Sequence, residues 1–69
     1  MSGLLPITLA DQIAEVEREL KMRAKVYPRW ILTGRLTKER AARNTAVLEA
    51  ILGTLKAIEI ASQRGPAVG

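Results

Sequence analysis

The sequence predicts an all-α fold: an antiparallel two-helix hairpin with a kinked first helix, assembling as a homodimer into a four-helix assembly. Three observations carry that expectation. Two segments with helical apolar periodicity flank a link of only four residues, Gly34 to Thr37, and so short a connection makes the helices antiparallel neighbours. The chain has 69 residues, no cysteine and no histidine, and a core of that size rarely stabilises a monomer without disulfides, metal or association. The second segment carries apolar residues on two faces, more than one partner helix can cover. A single domain over residues 1–69 follows.

Helix one is expected over about 9–33. Leu9, Ile13, Val16, Leu20, Ala24 and Tyr27 recur at spacings of three and four, and Ile31 continues the stripe, which is the mark of an amphipathic helix. Thr8 followed by Asp11 approximates a capping box. Asp11, Glu15, Glu17 and Glu19 precede Lys21, Arg23 and Lys25, the order of charge that the helix dipole favours. Pro28 removes an amide donor inside this segment, so a kink near Tyr27 is expected rather than a stop.

Gly34 reads as a C-cap and Thr37 as the start of helix two, expected over about 38–63 and ended by Gly65-Pro66. Placed on a helical wheel, Leu48, Ile51, Leu52, Leu55 and Ile58 form a face of large aliphatics, expected to pack on helix one. Ala46, Ala50, Gly53, Ala57 and Ala61 form a stripe of small residues on the opposite side, and this stripe, or the edge between the two faces, is expected at the dimer interface. A mid-helix glycine costs about 1 kcal/mol relative to alanine, which argues for a close backbone approach at Gly53. The segments Met1 to Ile7 and Gly65 to Gly69 are expected to be loosely ordered.

Composition narrows the function. Tyr27 and Trp30 are the two aromatics, and there are two serines and one aspartate. These supply neither a histidine-assisted nucleophile nor a thiolate nor a zinc site, so no enzyme, metal or cofactor is expected. Met1 to Ile7 has no basic n-region and its apolar run is broken by Pro6, which predicts no signal peptide and a cytoplasmic location. The apolar window Thr45 to Ala61 contains Glu49, Lys56 and Glu59, charges that are costly at mid-bilayer, so no membrane association is expected.

Charge is partitioned along the chain. Between Lys21 and Arg43 eight bases face Glu39 alone, a net of +7, and the rest of the chain sums to −3. The hairpin gathers these bases at its turn, beside Tyr27 and Trp30. Tyr27, Trp30, Arg23, Arg29 and Arg35 are therefore the candidate contacts to a protein partner, because Trp, Tyr and Arg dominate interface hot spots. Two other readings remain. The same bases could meet nucleic-acid phosphates with Trp30 stacking on a base, or both aromatics could serve only as core residues.

The stretch Val26-Tyr27-Pro28-Arg29-Trp30, then Gly34-Arg35, then a Thr-started helix containing Val47-Leu48-Glu49-Ala50-Ile51 resembles a family of very small phage and prophage proteins. The resemblance covers residues 11 to about 58. Size and the expected hairpin dimer are also similar to phage anti-activators, which bind bacterial host proteins such as quorum-sensing transcription regulators. The resemblance implies a host-takeover protein that inhibits a host protein by binding it in the host cytoplasm. The alternative is a small basic nucleic-acid-binding accessory protein of a phage.

Overall fold

A computed structural model describes residues 6–64. Two helices account for nearly all of them: α1, Leu9–Leu32, and α2, Lys38–Arg64. No strand occurs among the described residues. The tails expected to be loosely ordered lie, but for Pro6 and Ile7, outside the described residues, as does the Gly65-Pro66 stop.

Each helix begins and ends where local chemistry satisfies its backbone. At the start of α1 the Thr8 hydroxyl accepts the Asp11 amide at 3.0 Å, and the Asp11 carboxylate accepts the Thr8 amide at 3.0 Å. The box is reciprocal, so two otherwise orphaned donors are paired. The Thr8 amide, followed by the Thr8 side chain, holds the Asp11 carboxyl below its ordinary value. Pro28 lies inside α1, which continues beyond it to Leu32. At the start of α2 the Thr37 hydroxyl accepts the Arg40 amide at 3.1 Å.

The end of α1 is a complete Schellman motif. The Gly34 amide donates to the Ile31 carbonyl at 3.1 Å, and the Arg35 amide donates to the Trp30 carbonyl at 2.8 Å. That pairing needs a left-handed residue after the cap, and Gly34 has φ of 80°. A Cβ at Gly34 would meet nothing within 4 Å, so any cost of adding one is conformational. Gly34→Ala is expected to lower unfolding free energy by about 1 kcal/mol, which appears in a thermal melt as a drop of roughly 4–8 °C for a domain of this size. An unchanged melting temperature would show that the turn does not depend on this conformation.

The two helices meet along one seam. Leu9, Ile13, Val16, Leu20, Arg23, Tyr27 and Trp30 on α1 face Ala41, Thr45, Leu48, Leu52, Leu55 and Glu59 on α2, all buried or half-buried. Both sets alternate steps of four and three, the repeat that keeps a seam facing its partner along two crossing helices. Glu17 on α1 and Lys56 on α2 pair across the hairpin at 3.3 Å. Ile13, Tyr27 and Ala41 are the buried hydrophobic residues, and among the described residues no side chain is completely enclosed. The described helices form a single layer, with no second layer to close a core.

Two details of the expected packing are corrected. Ala24 is exposed, and Arg23 takes its place in the seam. A base can sit there because Glu19 neutralises it and Tyr27 shares its protons. Ile51 and Ile58, expected to pack on α1, remain 42% and 48% exposed. The aliphatic arc of α2 is wider than one helix can cover, and Leu48, Leu52 and Leu55 occupy the seam.

Candidate protein-interaction site at the hairpin turn

The turn end of α1 is organised by side chains spaced four, three and five residues apart. Arg23 donates from Nε to a Glu19 carboxylate oxygen at 2.7 Å and from its terminal nitrogen to the Tyr27 hydroxyl oxygen at 3.1 Å. Hydrogen bonding to Glu19, and then to Tyr27, raises the Arg23 guanidinium above its ordinary value, so the group stays charged. Tyr27 is only 7% exposed and backs the Trp30 ring at 6.0 Å between centroids, with the planes tilted by 43°. Arg35 lies over the other aromatic surface, its guanidinium carbon 5.2 Å from the Trp30 ring centre.

The Arg35 to Trp30 contact follows from the backbone. In a Schellman motif the residue after the left-handed position comes back over the third residue from the helix end, and a side-chain contact usually accompanies that closure. Here these residues are Arg35 and Trp30, and the contact is a cation on an indole instead of two aliphatic groups. The Trp30 carbonyl also accepts from the Leu36 amide at 3.2 Å and the Thr33 hydroxyl at 3.3 Å. Both the backbone and the ring of Trp30 are therefore held by the turn.

Beside this assembly an apolar groove of about 350 Å³ runs between the helices, with Met22, Val26, Trp30, Leu36 and Asn44 along its walls. Leu36 and Asn44 were not among the expected contacts. Leu36 carried a weak signal, an apolar residue in a four-residue link where nothing local needs one. Asn44 carried none.

Among the expected contact residues, the structure thus joins Arg23, Tyr27, Trp30 and Arg35 into one connected group. Tyr27 is buried and Arg23 half-buried, both committed to internal partners, while Trp30 is half-buried and Arg35 exposed. Arg29 is exposed in the last turn of α1 and joins none of these contacts. Ala46, Ala50, Gly53, Ala57 and Ala61 are all exposed, and a Cβ at Gly53 would meet nothing within 4 Å, so α1 does not cover the small-residue stripe.

No family model, curated protein or solved structure matches this chain. Among the described residues no three acidic, histidine or cysteine side chains cluster as metal ligands, and no helix is long and apolar enough to cross a membrane.

Proposed function

We propose that this chain is a non-enzymatic protein-interaction module, a hairpin that pairs with a second copy and uses its basic turn to bind and inhibit a bacterial host protein such as a transcription regulator. The observation that carries this reading is the clamped indole. Trp30 is half-exposed, fixed by Tyr27 on one side and Arg35 on another, and it borders an apolar groove. A rigid aromatic anchor beside arginine loses little freedom on binding, and such anchors dominate interface energetics. Pro28, with no amide hydrogen for the Ala24 carbonyl, kinks α1 and sets the direction in which Trp30 leaves the helix. The partner class rests on the likeness in size and expected hairpin dimer to the phage anti-activators.

The basic partition supports a second reading, contact with nucleic-acid phosphates. The two separate on charge reversal and salt. Arg29 and Arg35 are exposed, so Arg29→Glu with Arg35→Glu should leave the fold intact. The doubly reversed chain is expected to lose at least tenfold in affinity for its protein partner, measured by titration calorimetry at fixed salt. Undiminished affinity rejects the basic turn as the contact. Binding to duplex or single-stranded nucleic acid that weakens steeply as salt rises would favour the second reading, because released counterions dominate phosphate contacts.

A further inference from the structure

The groove at the turn is apolar in its walls and basic at its edges. Met22, Val26, Trp30 and Leu36 supply the apolar surface, and Met22 is 46% exposed. Glu19 and Arg23 line the groove too, but they do so as a neutral pair joined at 2.7 Å. Asn44 is exposed on the α2 wall and brings one amide that can donate and accept.

Cations border the groove on three sides. On α1, Arg29 stands three residues after Val26 and seven after Met22, spacings that set it beside the apolar wall. Lys25 stands three residues after Met22, and an adjoining depression that shares Met22 has Arg18, Lys21 and Lys25 in its walls. On α2, Arg40 stands four residues before Asn44, one turn nearer the loop, and at the loop itself Arg35 lies over Trp30. Lys25, Arg29, Arg35 and Arg40 are all exposed. Glu39, the one acid between Lys21 and Arg43, is five residues before Asn44 and therefore about 140° round α2 from it.

Such a groove favours a helix over an extended strand. A helix pairs its own backbone groups, whereas a strand laid on Met22, Val26 and Leu36 would leave a row of amides and carbonyls without partners. The groove also lies between two antiparallel helices, where the side-chain ridges of a third can seat. A helix with an apolar stripe and acidic flanks satisfies the walls and the edges together. A phosphate backbone would satisfy only the edges.

We infer that the turn groove receives an amphipathic helix of the protein partner, with its apolar anchors against Met22, Val26 and Leu36 and its acidic flanks against Lys25, Arg29 and Arg40. The inference rests on the reading of the turn as a protein contact and specifies the kind of segment it takes.

Trp30 is the one tryptophan of the chain and borders the groove, so its fluorescence reports occupancy. Three designed peptides of about 20 residues, which as helices span about 30 Å, serve as probes, all without tryptophan. The first is a helix with leucine at i, i+4, i+7 and i+11 flanked by glutamate, the second has lysine for glutamate, and the third scrambles the first. The full chain is expected to bind the glutamate helix about tenfold more tightly than either of the others at fixed salt. Met22→Gln and Arg40→Glu are each expected to weaken that binding several-fold while helical circular dichroism is retained. Glutamine keeps the helix propensity of methionine, and an acid in the first turn of α2 suits the helix dipole better than a base. Equal affinity for the glutamate and lysine helices, or undiminished binding by Met22→Gln, overturns the inference, while the protein-contact reading is judged separately by Trp30→Ala against the whole partner. A peptide affinity that falls as the chain is concentrated places a second copy in the groove and also overturns it. If no peptide moves the indole signal and oligothymidylate does, both readings fall in favour of phosphate contact.

Discussion

Replacing Trp30 with alanine is expected to weaken partner binding by about 30-fold or more, the 2 kcal/mol or greater loss typical of a central anchor, while the hairpin stays folded. Some stability goes with it. The ring contributes a tilted contact with Tyr27, roughly 0.5–1.5 kcal/mol for an aromatic pair, and an exposed cation contact with Arg35, about 0.5–1 kcal/mol. Those losses are smaller than the stability of a chain this long, about 3–10 kcal/mol by size, so a folded protein with lost affinity is the expected result. Calorimetric titration against the partner and a thermal melt of the variant measure the two effects separately. Arg35→Ala serves as the control, since it removes the cation and keeps the ring. If Trp30→Ala lost its fold while Arg35→Ala bound normally, the indole would be a turn-closing residue and nothing more.

Tyr27→Ala is expected to have the largest effect on stability, about 3–5 kcal/mol. Tyr27 is 7% exposed in a molecule with few buried groups, and truncating it leaves a cavity in the seam that the thin surroundings cannot fill. The same change strips Arg23 of one of its two hydrogen-bond partners in a half-buried position. By contrast Tyr27→Phe keeps the packing and leaves Arg23 paired with Glu19 at 2.7 Å, so it should cost only about 1 kcal/mol. Urea denaturation followed by circular dichroism separates the two variants. Equal losses would mean that the hydroxyl, rather than the ring, carries the contribution of this residue.

What could be read from the sequence follows from how local each interaction is. Thr8 with Asp11, Gly34 and Thr37 act within a few residues of themselves, and each stands where its chemistry predicts. The choice between Ala24 and Arg23 as a seam residue is different in kind. Periodicity favours the alanine, and the arginine is admitted by Glu19 and Tyr27, an arrangement visible only once three side chains are placed together. The exposure of Ile51 and Ile58 depends on how wide an arc α1 covers, which a helical wheel of α2 alone does not contain. Likewise Tyr27, Trp30 and the arginines stood out as a cluster of residue types, whereas the stacking of Arg35 on Trp30 arises from the backbone closure at Gly34. The five-residue offset of that closure was present in the sequence, tied to a glycine already recognised as a cap.

The Glu17 to Lys56 ion pair and the Schellman turn sit at very different distances along the chain from the residues they join. Near the turn the seam joins residues separated by a short loop, and each further step towards the open end joins residues progressively more distant in sequence, Glu17 and Lys56 among them. Loop-closure entropy grows with that separation, so the hairpin closes like a zip from Gly34 outward and frays from its open end inward. The basic turn is therefore the first part of the molecule to acquire its native shape and the last to lose it. The contacts around Trp30 and Arg35 are therefore expected to outlast those of the open end as the hairpin frays.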